Sequence, residues 1–219
     1  MDENIFVFVP NIIGYTRIIL ALISCYFMPT DYVTATSCYI LSAFLDVFDG
    51  YAARWLNQST KFGAMLDQLT DRCTTMCLLV VLSYFYPAYI FWFQLSMALD
   101  IAGHWIHLHA TVMQGKTSHK FIDASENPLM RLYYTSKPVL FTMCAGNELF
   151  YSMLYLVYFT EGPRIPLIGV GLFRLTALIS FPIAIVKSAI SGLHMVLASY
   201  NLAIIDVAER KKLKLAKKE

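Results

Sequence analysis

Asp46, Asp49, Asp67 and Asp71 are four carboxylates set in apolar sequence, in two pairs. Asp46 and Asp49 are three residues apart and Asp67 and Asp71 four apart, so on helices each pair projects from one face. A connection of about nine residues between the two apolar stretches makes these helices antiparallel neighbours, and all four acids then converge at one depth. Bare carboxylates at that depth cost several kcal/mol each and repel one another. Either they are protonated, as in a proton relay, or divalent cations compensate them. Hard oxygen ligands on a fixed frame suit Mg²⁺ or Mn²⁺, and four carboxylates suffice for two ions. Gly50 and Gly63 leave room for close approach, and Arg54, one helical turn past Gly50, can meet a phosphate with a bidentate fork. Two ions, an arginine and cleared space describe a site for a diphosphate.

Asp46, Asp49, Gly50, Ala53, Arg54, Gly63, Asp67 and Asp71 fill every fixed position of the pattern D-x2-D-G-x2-A-R-x8-G-x3-D-x3-D. On these residues the chain resembles the CDP-alcohol phosphotransferases. Outside the pattern, Val9-Pro10-Asn11-Ile12-Ile13-Gly14-Tyr15-Thr16-Arg17, Tyr133-Tyr134-Thr135-Ser136-Lys137-Pro138 and the segment from Cys144 to Tyr151 are similar to the branch of that family whose acceptor is inositol. The resemblance implies a six-helix membrane bundle, a homodimer and a dinuclear Mg²⁺ or Mn²⁺ site. It implies displacement of CMP from CDP-diacylglycerol by myo-inositol, at the endoplasmic reticulum membrane. Under it Asp46 and Asp67 each touch both metals, with Asp49 on one and Asp71 on the other. Asp71 is also the base toward the inositol hydroxyl, and Gly50, Arg54 and Thr60 contact the CDP-diacylglycerol head. The chemistry is consistent, because a carboxylate beside a divalent ion stays ionised at pH 7 and can take a proton from an alcohol held within ~3 Å.

Such a cluster needs helices in lipid to carry it. Of the 219 residues 58% are hydrophobic and only 15% charged, against ~25% charged in soluble domains. Mean hydropathy is +0.55. These values argue against a soluble enzyme and against disorder; the net charge of +2 is uninformative, and no basic patch interleaved with aromatics points to nucleic acid. With about 20 apolar residues per crossing, the sequence predicts an all-α integral membrane protein. Its six spans lie near 9–28, 33–53, 63–85, 88–109, 138–159 and 173–195. Arg54, Lys61, Arg72, Lys116, Lys120, Arg131 and the basic residues from Arg210 onward fall on one side and Arg164 on the other. By the positive-inside pattern both termini are cytosolic. The whole of 1–219 reads as one membrane domain, with 208–219 a basic cytosolic tail. The apolar tract from Leu167 to Ile205 reads as one span followed by a helix on the membrane surface. The N-terminal run has no basic segment ahead of it, unlike a cleavable signal peptide. The five cysteines read as small buried hydrophobes.

Weaker signals remain. Asp100, His104 and His107 share a helical face at the end of the fourth span, where a hydrogen-bonded Asp–His pair outweighs a zinc site. Lys137, just inside the fifth span, could hold an inositol hydroxyl or a donor phosphate with Arg131 nearby, or simply snorkel to the interface. Arg17 in the first span reads as interhelical glue, and Lys187 as a residue reaching a membrane interface. Asn57-Gln58-Ser59 matches a glycosylation acceptor on the cytosolic side, where no sugar is expected. Two rivals stand beside the inositol reading. A sibling transferase using glycerol 3-phosphate, serine or choline shares the eight-residue pattern. A cation or proton transporter would need a polar path that the far halves of spans two and three do not offer.

Overall fold

The computed structural model describes residues 3–114, 132–133, 135–166 and 168–217. Six α-helices are named among the described residues: α1 (Val9–Phe27), α2 (Tyr32–Trp55), α3 (Lys61–Phe85), α4 (Ile90–Gln114), α5 (Lys137–Phe159) and α6 (Leu172–Ala216). They coincide with the six predicted spans to within a few residues at all but one end.

Local chemistry explains the boundaries that matter for the site. Pro10 sits in the first turn of α1, where its missing N–H has no intrahelical partner to lose. Asp31 caps α2 by accepting from the N–H groups of Val33 and Thr34. The Thr34 hydroxyl also donates to it, and these bonds hold its carboxyl below the usual range. α2 ends on Asn57, which adopts φ 54°, a conformation Asn tolerates better than most residues. Gln58 N–H reaches back to the Ala53 carbonyl at 2.9 Å and Asn57 N–H to that of Arg54 at 3.5 Å, a Schellman closure of the helix end. Thr60 then caps α3, its Oγ1 accepting from Gly63 N–H at 2.9 Å. The connection is therefore residues 56–60, tighter than the predicted nine.

Two compact units are present. The first runs to Phe93 and includes Leu154–Glu161, so it holds α1, α2, α3 and the end of α5. Met28, Ala35, Leu78, Leu79 and Leu82 form its fully buried core. Polar bonds pin α1 to α2: Ser24 Oγ donates to the Ala35 carbonyl at 2.8 Å and Ser42 Oγ to that of Arg17 at 3.1 Å. Tyr155 donates to the carbonyl of Met28 at 2.9 Å, and Phe85 stacks on Tyr158 with ring centroids 3.8 Å apart.

The second unit, Gln94–Met153 with residues from Gly162 onward, holds most of α4 and α5 and all of α6. Its helices meet at small residues. A Cβ on Gly146 of α5 would lie 2.7 Å from Ile183 Cγ2, and one on Gly103 of α4 would lie 3.3 Å from the Ser191 carbonyl oxygen.

By length and composition, α1, α5 and α6 can each cross a membrane, and α3 with residues 87–110 makes a fourth if that pair, bent by 119°, is one broken span. Six helices stand where six spans are predicted, and α2, which carries Asp46 and Asp49, is outside this count. α6 corrects the reading of the apolar tract from Leu167 to Ile205. It is one unbroken 45-residue helix with Pro182 inside it. No break turns a surface helix away from the span. Ala198, Asn201 and Ile205 continue the buried stripe of Ala177, Ser180, Ala184, Lys187 and Ile190. The packed stripe thus reaches Ile205, and the predicted basic tail is helical as far as Ala216.

Candidate functional site

The two acid pairs project from facing helices, Asp46 and Asp49 from the last turns of α2 and Asp67 and Asp71 from the second and third turns of α3. The tight 56–60 connection brings these ends side by side. Asp46, Asp49 and Asp67 each offer an oxygen within 4.8 Å of the others. Asp71 joins them through a residue of α1. The Arg17 guanidinium reaches all four: Nη1 lies 2.6 Å from Asp49 Oδ2 and 2.6 Å from Asp67 Oδ1. Nη2 lies 2.6 Å from Asp46 Oδ1 and 2.5 Å from Asp71 Oδ1. Arg17 is 2% exposed, whereas the side chains of Asp46, Asp67 and Asp71 are 40%, 45% and 37% exposed. The acids thus line an open face over a buried cation. One buried guanidinium offsets only one of four ionised carboxylates, so the cluster keeps an excess of negative charge.

That excess and the donor set decide which ion fits. The cluster offers only carboxylate oxygens, the ligands of Mg²⁺, Mn²⁺ and Ca²⁺ rather than of zinc or copper. The predicted convergence of the four acids is present. Arg17 is glue, as the sequence suggested, but glue at the centre of the acid cluster. Sequence reasoning weighed protons and metal ions as the compensating charge and overlooked it. The signal was available: Arg17 is the single basic residue of α1.

Around the acids the small residues have identifiable neighbours. A Cβ on Gly63 would stand 2.8 Å from Asn11 Oδ1 and 3.2 Å from Thr60 Oγ1. Asn11 is 1% exposed and donates through Nδ2 to the Ile5 carbonyl at 2.6 Å. Val9 N–H donates to Gln58 Oε1 at 3.0 Å. The start of α1 therefore clasps the turn between α2 and α3, and Gly63 is required by that close approach. A Cβ on Gly50 would lie 3.5 Å from Arg54 Nη1, and Arg54 itself is exposed. Arg72 Nη2 lies 3.9 Å from the second oxygen of Asp71. Thr60 has a structural task as the cap of α3 whatever else it contacts. Lys137 is the first residue of α5, exposed, and belongs to the second unit. Arg131 lies outside the described residues.

The second unit holds its own polar cluster. His104 Nδ1 lies 2.7 Å from the Asp100 carbonyl oxygen and 3.5 Å from its carboxylate. Lys187 Nζ lies 3.2 Å from that carboxylate. Lys187 is buried at 8% exposure, so it balances Asp100 between α4 and α6 instead of reaching an interface as predicted. His107 and His194 bring their rings to 4.2 Å.

Comparison with known proteins supplies independent findings. Residues 7–157 match the family model described as CDP-alcohol phosphatidyltransferase. A human protein named CDP-diacylglycerol–inositol 3-phosphatidyltransferase is 60% identical over 97% of this chain and 99% of its own length. Proteins of the same name from Drosophila melanogaster and Saccharomyces cerevisiae are 54% and 39% identical, over 95% and 93% of this chain and 90% of each relative. No solved structure matches the chain.

Proposed function

The chain belongs to the CDP-alcohol phosphatidyltransferase family, and from that membership we propose that it transfers the phosphatidyl group of CDP-diacylglycerol to a hydroxyl of myo-inositol, giving phosphatidylinositol and CMP. Near-full-length identity of 60% to a relative of that named activity carries the acceptor, which the eight-residue pattern alone leaves open. The convergent acids carry the chemistry. Asp46, Asp49, Asp67 and Asp71 would hold the divalent ions, Mg²⁺ or Mn²⁺ and two per site, through their carboxylate oxygens. When bound, such ions offset the charge of the diphosphate and stabilise CMP as it leaves.

The chain's own residues do the rest. Asp71 accepts the proton of the attacking hydroxyl, whose oxygen forms the new bond to the phosphorus that carries diacylglycerol while the bond to CMP breaks. Arg54, exposed at the end of α2, presents its fork to a donor phosphate, with Gly50 and Thr60 lining the same head group. Arg131 and Lys137 contact inositol or phosphate. We further read six crossings with both termini cytosolic, residence in the endoplasmic reticulum membrane with the acids facing the cytosol, and a homodimer of single-domain chains.

Purified protein supplied with CDP-diacylglycerol and Mn²⁺ tests the assignment, with each alcohol offered in turn while CMP is measured. Release with myo-inositol and not with glycerol 3-phosphate, serine or choline is the expected result. A preference for any of the others transfers the chain to a sibling activity.

A further inference from the structure

Arg17 touches all four acids, yet the transfer chemistry leaves it without a task. Its two terminal nitrogens are each shared between one acid of α2 and one of α3: Nη1 between Asp49 and Asp67, and Nη2 between Asp46 and Asp71. The guanidinium therefore cross-links the two helices through one oxygen of each of the four acids, inside the cluster where a cation between them would sit. Like charges repel strongly at such separations, the more so for a group 2% exposed. A divalent ion bonded to these carboxylates at about 2.0–2.6 Å draws on the same negative charge as the guanidinium nitrogens at 2.5–2.6 Å, although each acid keeps a second oxygen. Arg17 Nε is buried with no hydrogen-bond partner among the described residues, so the seat is imperfect for Arg17 itself, since an unpaired buried donor is costly. A single positive charge offsets only one of the four acids.

We propose that Arg17 is a built-in counter-cation that competes with divalent ions for the four carboxylates. It holds the acids convergent before ions load and gives up their oxygens as they do. The proposal rests on the two-ion reading above. It makes Arg17 a positioning residue whose presence weakens ion affinity while strengthening the ion-free fold. A purely structural role moves both states together and leaves ion affinity unchanged.

The test uses the full chain in lipid nanodiscs without either substrate. Mn²⁺ affinity is read from the electron paramagnetic resonance signal of free Mn²⁺, and the thermal midpoint is recorded with and without the ion. Arg17→Met should bind Mn²⁺ about tenfold more tightly than the parent, a typical size for such coupling. It should melt lower without Mn²⁺ and gain more from its addition. Arg17→Lys retains the charge with a single nitrogen, so it should bind severalfold more tightly than the parent, and it carries the test if Arg17→Met does not fold. Equal or weaker Mn²⁺ binding in the folded variants overturns the proposal. If neither parent nor variants bind Mn²⁺, the two-ion reading falls and this proposal with it. Binding by the parent that no variant improves removes only the role of Arg17.

Discussion

Asp67 and Asp71 stand one helical turn apart on α3, yet their substitution should fail in different ways. Asp67→Ala removes a carboxylate from the shared cluster of Asp46, Asp49 and Asp67, so the clamp on both attacking and leaving oxygens is lost. CMP release should vanish while the protein still extracts as a folded species in detergent. Retention of more than about a tenth of the activity contradicts the two-ion assignment. Asp71→Asn keeps an oxygen for a metal and for Arg17 but cannot take a proton. Its loss should fall on kcat, by roughly 10²–10⁴-fold, with little change in CDP-diacylglycerol affinity. A kcat near normal, or one wholly restored by raising Mn²⁺, would leave Asp71 a ligand only. Both acids were legible before any fold was known, because their spacing alone places them on one helical face. Arg17 was not. Its partners stand 32, 50 and 54 residues away for Asp49, Asp67 and Asp71, and no periodicity within α1 reports which side chain of another helix it will face.

Among the helices, the close approach of α5 to α6 at Gly146 has a measurable cost. Gly146→Val pushes a branched side chain into Ile183, whose Cγ2 already lies 2.7 Å from the position a Cβ would take. Overpacking of this kind costs about 1–3 kcal/mol, so the thermal midpoint in detergent should fall. Adding Ile183→Ala to the same chain should recover much of the loss. No recovery would place the fault outside this contact. The helix ends were readable from sequence where a side chain or backbone dihedral enforces them, as at Asp31, Asn57 and Thr60. α6 was misread because the apolar composition weakens toward Asp206 while the helix does not break. Ala, Asn and Ile at 198, 201 and 205 are packed in the fold, and burial by neighbouring chain is invisible to hydropathy. The pairing of Lys187 with Asp100 went unread for the same reason, the partner being 87 residues away.

At the scale of the whole molecule, the crossing count sets which surfaces meet which compartment. The six crossings proposed above would put the turn at 56–60 and the C-terminal end in the cytosol, and the connection between α5 and α6 across the membrane from them. In sealed microsomes a tag after Ala216 should be digested by added protease. A tag within residues 163–168 should survive until detergent opens the vesicle, and Asn57 should carry no glycan. A protected C-terminal tag would refute the topology. α1 adds a constraint from its length. Its 19 residues rise about 28 Å. Both ends are tied to other elements, by Val9 N–H to Gln58 Oε1 at 3.0 Å and by Tyr155 to the Met28 carbonyl at 2.9 Å, which resists sliding. Hydrocarbon about 27 Å thick suits such a helix, whereas a plasma membrane of about 32–33 Å must thin around it. Because Arg17 rides midway along α1, that mismatch would bear on the depth at which the acids sit. CMP release should therefore decline when dioleoyl lipid is replaced by dierucoyl lipid of the same head group, making bilayer thickness itself a modulator of the reaction.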